Sequence, residues 1–446
     1  MKTRSFDPIS LLSSAYSIMQ RDIFIYVLNI LTGVIVARTL GPEILGIWVL
    51  LTLVSSYAEG FGRFKTDVSS VYILGSEKAK PEEVLFSITL FAVITSFTIV
   101  SIMLWQIEFI EDFLFQNTKL DYRQELICII FIIPFEFLLL NYSYFYISLE
   151  NVVVYNRIKV IQAILNFSII AILILALDFK LWSLVFAKII STLIPLLYSW
   201  SITDRRGWTK LRSRWNWSVS KDILTYAFNF YIIGIIGHIH RLTIKTIGAI
   251  SFNTSQLAFY NQGEAASRLL NVIPNALSTI LYPRISRSDE AEQSIEISCT
   301  SFRVTFFILS IVGVILFLIA DYLIIFLYGI DFAPTADVLE IALPGAVIGS
   351  SCLTLQTFFQ GKGLANIIPK LQIIPVILQV GFAYIFISLW GLNGAAMAFS
   401  LGSALYGLVI LIAFIWINHI SISRLIPKYQ DIKLVYSIVL NHYKKD

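Results

Sequence analysis

The stretch from Tyr260 to Tyr282 reads YNQGEAASRLLNVIPNALSTILY. Within it Tyr260, Asn261, Glu264, Ser267, Arg268, Asn271, Asn275, Ser278 and Tyr282 recur at steps that keep them on one helical face. Leu, Val, Ile and Ala make up the opposite face. An ionisable group facing hydrocarbon costs at least ~2.5–3.5 kcal/mol, so the polar face must line a cavity or a protein interior. Glu264 and Arg268, at i and i+4 in the favourable order, can pair with each other. Two readings of the stripe stay open: a surface for a ligand, or a polar helix–helix interface without one.

The rest of the chain supplies the membrane-like setting. Of its 446 residues 57% are hydrophobic and only 14% charged, against about 25% charged in soluble domains. The apolar residues come in blocks of about 20 and do not alternate, which excludes a β-barrel. The sequence predicts an all-α polytopic membrane protein of about twelve transmembrane helices, in two six-helix lobes around a central cavity. The spans fall near residues 15–38, 44–64, 83–106, 126–148, 155–177 and 180–202, then 221–246, 256–283, 299–321, 335–360, 368–389 and 393–417. The expected organisation is an N-terminal lobe (1–204), a basic linker (205–220), a C-terminal lobe (221–420) and an amphipathic basic tail (421–446). No small-residue cleavage pattern follows the first residues, so the first span is expected to act as its own insertion signal.

Basic residues set the orientation. With the N-terminus in the cytoplasm, the inner loops collect Lys78, Lys80, Arg157, Lys159, Arg284, Arg287, Lys362 and Lys370, the cluster Arg205, Arg206, Lys210, Arg212 and Arg214, and the basic tail. Glu108, Glu111, Asp112, Asp331 and Asp337 fall outside. Both termini are therefore expected in the cytoplasm. The halves also resemble each other: Leu40–Trp48 can be laid on Phe252–Tyr260, an offset of 212 residues that takes Gly46 to Ala258. Under it the second span has its own polar line, Trp48, Thr52, Ser55, Ser56, Glu59, Arg63 and Thr66, which suggests a duplicated bundle.

Other spans carry ionisable groups. Gly234, His238, Arg241 and Lys245 share a face of the seventh, where His238 is either a coupling group or a helix-packing donor and the longer side chains either line a cavity or snorkel outward. Lys188 in the sixth span poses the same alternative. Glu136 follows Pro134 in the fourth and is either a proton-coupling site or a hydrogen-bonded helix contact. In the tenth, Gly345 and Gly349 share a face with Gln356 and Gln360 and predict close helix approach. The charges expected inside the bundle, Arg38, Arg63, Lys188, His238, Arg241, Lys245 and Arg268 against Glu59, Glu136 and Glu264, are on balance cationic and favour an anionic substrate. Candidate substrate-contacting residues are Arg268, Glu264, Asn271, Asn275, Tyr260, Arg241, Lys188 and Arg63; candidate coupling residues are Glu59, Glu136 and His238. No phosphate-binding G-x-x-x-x-G-K-[ST] loop and no metal-ligand spacing occurs, and neither an enzyme, a cofactor nor a nucleic-acid partner is expected.

The first hairpin, Ala37-Arg38-Thr39-Leu40-Gly41-Pro42-Glu43-Ile44-Leu45-Gly46, with Gly60-Phe61-Gly62-Arg63 after it, resembles the Wzx-type polysaccharide flippases. These are the O-antigen, teichuronic and capsule exporters of the multidrug/oligosaccharidyl-lipid/polysaccharide superfamily, and the likeness extends over nearly the whole chain. The resemblance implies a bacterial inner-membrane protein that moves undecaprenyl-pyrophosphate-linked oligosaccharide by alternating access. It implies a proton or monovalent-cation gradient as the energy source, and a polymerase and chain-length regulator as partners. Lipid II flippases share the architecture but usually add two C-terminal helices. The alternatives are an ion-coupled small-molecule or multidrug antiporter and a non-transporting glycan-export scaffold.

Overall fold

The computed structural model describes residues 8–75, 79–118, 122–207, 215–287 and 290–427. Lys78, Lys210, Arg212, Arg214 and the tail beyond residue 427, all used above for orientation, lie outside the described residues. Helix follows helix throughout, and no strand occurs among the described residues.

The helices are α1 (Pro8–Gly62), α2 (Thr66–Gly75), α3 (Pro81–Trp105), α4 (Ile107–Leu114), α5 (Arg123–Ser148), α6 (Val152–Leu175), α7 (Lys180–Arg205) and α8 (Trp217–Ser251). They continue with α9 (Thr254–Ser267), a 3₁₀ turn (Arg268–Asn271), α10 (Val272–Arg287), α11 (Ala291–Tyr328), α12 (Pro334–Ser351), α13 (Leu353–Gly361) and α14 (Ile367–Asn418). Among the described residues nine helical stretches are long and apolar enough to cross a membrane. Two of them hold two traverses each, because α1 turns at Gly41 (φ 73°) and α14 at Gly391 (φ 54°). Positive φ is free of Cβ strain only for glycine, so each turn takes one residue and no loop. With the interrupted traverse α9–α10 added, the twelve spans of the sequence reading are accounted for. Trp105 (80% exposed) and Phe326 (74% exposed) show the outer surface expected of helices in lipid.

The chain forms two compact units, Met1–Ala258 and Phe259–Asp446. The boundary falls after α8, not within residues 205–220, because α8 packs on α1, α2 and α3. Its contacts run along its length: Asn216 donates to Glu83 (3.3 Å), Ser220 bonds Ser87 (2.9 Å), Tyr226 donates to Tyr72 (2.8 Å), and Tyr57 bonds Thr246. A Cβ on Gly46 would run into the Thr254 carbonyl, so the first hairpin and the turn after α8 touch in this unit. The core of the first unit gathers Leu85, Ile88, Phe145, Tyr146 and Ile158.

The second unit centres on α12 against α14. The close approach predicted from small residues is present: a Cβ on Gly345 would fall on the Ser400 backbone, and the Gly345 N–H donates to the Ser400 hydroxyl (3.0 Å). In the first turns of α11, Glu292 (2.5 Å) and Glu296 (2.8 Å) pair with Arg424, while buried Arg303 donates to the Arg424 carbonyl (2.6 Å). The described start of the basic tail is thus fixed to α11.

These contacts rank two glycines. Gly345→Ala places a methyl on backbone that cannot yield cheaply and should cost about 1–3 kcal/mol. Gly237→Ala in α8 meets nothing within 4 Å and should be stabilising by roughly 0.5–1 kcal/mol. Unfolding in detergent, read by circular dichroism, checks the order; equal behaviour would contradict the close crossing.

Candidate functional site

The second traverse begins after Gly41 and is broken at Phe64 (φ 51°) and Lys65 (φ 52°), both left-handed. A break of this kind strands backbone carbonyls, and in a membrane those need internal partners. Tyr231 of α8 provides one, donating to the Phe61 carbonyl (2.7 Å), and its ring stacks on Phe64 at 4.5 Å. Gly234, one turn on, lies where a Cβ would strike the Lys65 stem.

Around this break the polar line of the second span meets its partners. Arg63 pairs with Glu59 (3.2 Å) on one side and with Asp67 (2.9 Å) on the other. Arg63 and Asp67 are both buried, whereas the Glu59 side chain is 40% exposed. Asp67 escapes a sequence reading that ends the second span at residue 64; its spacing of four from Arg63 was the available signal. Thr66 donates to Asn141 (3.4 Å), and Asn141 donates to the Ile88 carbonyl (3.0 Å), tying the break to α5 and α3.

Above the Arg63 pair lies a cavity of about 190 Å³ lined by Thr52, Ser55, Ser56, Glu59, Glu136, Phe137, Leu139, Leu140, Lys159, Gln162 and Lys188. Lys188 does not snorkel away: its Nζ pairs with Glu136 at 2.5 Å. The structure therefore brings Glu59, Glu136 and Lys188 together and puts Arg63 beneath them. Lys159 belongs to the same cavity, although the sequence reading placed it in an inner loop. It sits two turns into α6, which begins at Val152.

His238 is buried, and its ring fits against Gly60, where a Cβ would approach within 2.9 Å. Arg241, one turn along α8, places Nη2 2.9 Å from His238 Nδ1. The pair shares one unit with the cavity but is absent from its lining.

The Tyr260–Tyr282 stripe needs correction. It is not one continuous face, because the 3₁₀ turn Arg268–Asn271 interrupts it. Pro274 is the cause: it cannot donate to the residue 270 carbonyl and its ring crowds that carbonyl, so the preceding turn tightens. Tyr260 is consequently buried, while Asn275 and Tyr282 are exposed. What survives is local. Glu264 accepts from Arg268 Nη2 (2.6 Å) and Nε (3.0 Å), and the Arg268 guanidinium lies 5.5 Å from the Phe399 ring. Asn271 accepts from Ser350 (2.7 Å) and Ser278 from Thr357 (2.8 Å), so the lower stripe is spent on α12 and α13. Gln356 accepts from Tyr406 (2.7 Å), which in turn accepts from Gln372 (3.0 Å).

The cationic surplus read from the sequence is smaller here. Arg63, Lys188 and Arg268 each hold a carboxylate, and Asp67 adds a further acid. No group of three His, Cys, Asp or Glu with metal-holding geometry occurs among the described residues.

The two carboxylates on Arg63 should separate experimentally. Asp67→Ala strands a buried guanidinium and should cost about 3–5 kcal/mol of stability. Glu59→Gln removes a half-exposed partner and should cost about 1 kcal/mol or less. Chemical unfolding in detergent measures both; a larger loss at Glu59 would reverse the assignment.

The fold has known counterparts. A lipid II flippase, MurJ in an inward closed conformation, superposes with a TM-score of 0.72 at 15% identity, over 88% of this chain and 86% of that one. A multidrug resistance MATE family transporter of the MOP superfamily, inward-facing, gives 0.67 at 17% identity over 94% and 98%. A MOP superfamily transporter from Pyrococcus furiosus, described as having a binding pocket of reversed polarity, gives 0.63 at 17% over 92% and 95%. No curated protein sequence matches the chain. Residues 35–337, which contain the turn at Gly41, the cavity and the Glu264–Arg268 pair, match the model of one sequence family. By that match the chain belongs to the polysaccharide biosynthesis protein family.

Proposed function

We propose that the protein is a flippase that carries undecaprenyl-pyrophosphate-linked oligosaccharide units across the bacterial cytoplasmic membrane, serving O-antigen, capsule or another surface polysaccharide. The observation that carries this reading is the match of residues 35–337 to polysaccharide biosynthesis proteins on a fold shared with a lipid II flippase. A multi-pass helical chain with hydrogen-bonding side chains held inside its bundle suits a sugar cargo, whose hydroxyls need partners away from water. Transport proceeds by alternating access, with both termini in the cytoplasm and without enzymatic turnover of the cargo. A proton or monovalent-cation gradient drives it, and Glu59, Glu136 and His238 are the groups to test for coupling. Arg268, with Glu264 holding its guanidinium, is the candidate for the pyrophosphate, and Arg241 and Lys188 are the alternatives to it. Polymerase and chain-length regulator proteins would act on the delivered units.

A second reading, an ion-coupled small-molecule antiporter, draws on one observation: Arg63, Lys188 and Arg268 are each matched by a carboxylate, which lowers the pull on anions.

Lipid-linked oligosaccharide measured on each membrane face, in cells lacking the protein, separates the two. The flippase reading expects build-up on the cytoplasmic face, relieved by the wild-type chain and at least tenfold less well by Arg268→Ala inserted at equal level. Unchanged lipid-linked pools with altered drug tolerance would favour the antiporter.

A further inference from the structure

One end of the first unit carries a short helix with an aromatic ridge. The uncharged run Val84–Trp105 of α3 is about 32 Å long, the thickness of a hydrocarbon core, so Trp105 stands at the membrane edge. Gln106 leaves helical geometry (φ −99°, ψ 21°) and α4, IEFIEDFL, follows. Ile107 and Leu114 of α4 are buried, as is Phe115 after it. Trp105, Phe109 and Phe113 are 80%, 62% and 39% exposed, and their spacing of four sets them in one row. The rings of Phe109 and Phe113 stack at 5.7 Å. The row continues the exposed apolar side of α3, which shows Ile94, Phe97 and Ile102. Glu108 and Asp112, also four apart, run beside it, both exposed and free of any ion pair among the described residues. Arg123 at the same end is held by Glu111 (3.5 Å). Gln116 donates to the Ile250 carbonyl (3.1 Å), and Asn117 to the carbonyls of Ile250 (3.3 Å) and Phe252 (3.1 Å), which ties α4 to the end of α8.

We propose that α4 is an interfacial helix and that its ligand is a phospholipid headgroup with a primary ammonium, phosphatidylethanolamine. A row of aromatic rings at the end of a transmembrane helix belongs at the boundary between headgroups and acyl chains. Interfacial helices that bind anionic lipid present Lys and Arg on their polar side. α4 has neither, and its exposed side presents two carboxylates. An ethanolamine ammonium brings three N–H donors to carboxylates that only accept, in charge-assisted hydrogen bonds. A choline headgroup has no N–H, and a glycerol headgroup leaves the phosphate charge to repel both acids. The rings and the acids share one exposed side of a helix fixed to α8, so both parts of the lipid are met together. Such a lipid binds whatever cargo the protein carries.

The test uses the full chain in nanodiscs of phosphatidylcholine, alone or with part of it replaced by phosphatidylethanolamine or phosphatidylglycerol. A nitroxide on Phe109→Cys or Glu108→Cys, in a Cys128→Ser background that leaves only the buried Cys299 and Cys352, reports depth through collisions with oxygen or a water-soluble nickel chelate. The label at 109 should favour oxygen and that at 108 nickel. The same reagent favoured at both positions would overturn the interfacial placement, and shielding of 109 from both would assign the row to a protein partner instead. Thermal unfolding reads the headgroup. Phosphatidylethanolamine should raise the unfolding temperature saturably over phosphatidylcholine, as a ligand of the folded state does, and phosphatidylglycerol should not. Glu108→Gln with Asp112→Asn should abolish the rise, and Phe109→Ser with Phe113→Ser should at least halve it. All four positions are exposed, so both variants should fold. No rise, a rise that survives the amide pair, or one given equally by phosphatidylglycerol overturns the headgroup assignment.

Discussion

The dominant constraint on this chain is that an ionisable group inside a bilayer must meet either an opposite charge or a cavity. Arg63 shows how much structure that rule dictates. Its guanidinium is buried, so two carboxylates approach it, and one of them, Asp67, lies beyond a helix break. Glu59, Arg63 and Asp67 keep the spacing of four that a helix face provides even across the break, and Tyr231 of α8 bonds the Phe61 carbonyl beside it. Tyr231, Phe64 and Gly234 then become parts of one electrostatic arrangement.

Backbone obeys the same constraint. The interruptions at Phe64–Lys65 and Arg268–Asn271 each sit beside a charge pair, Arg63–Asp67 in one unit and Glu264–Arg268 in the other. Both pairs keep the i,i+4 spacing that already brings side chains together on a helix face. The interruptions leave a set of unpaired carbonyls, which explains why side-chain donors such as the Tyr231 hydroxyl gather there. The repeat offset of 212 residues does not carry one break onto the other: Phe64 and Lys65 map to Ala276 and Leu277, beyond the 3₁₀ turn. The hairpins do correspond, since Gly41 maps to Asn253, in the turn between α8 and α9.

What the sequence made legible follows from periodicity and composition. Apolar blocks gave the helices, the line from Thr52 to Arg63 gave a polar face, and the spacing of Glu264 and Arg268 gave their pair. Gly345 and Gly349 announced the close crossing of α12 and α14. The misreadings have physical causes too. Hydropathy reports the mean character of a window and not its depth, so Lys159, near the start of an apolar helix, looked like a loop residue. Asp67 was lost because a hydrophobic span was assumed to end where charges begin. Pro274 lies inside the stripe itself, and ideal helical geometry was carried across it.

The pairing pattern also changes what a cationic interior means. An arginine already bound to a carboxylate adds little to the long-range field, since the pair is a dipole whose potential falls off faster than that of a charge. Recognition of an anion then falls to groups whose charge is not cancelled nearby, or to a pair that opens when the anion arrives. Arg268 needs no such opening: its side chain is 38% exposed while Glu264 is buried, so the guanidinium can reach a ligand without leaving its acid.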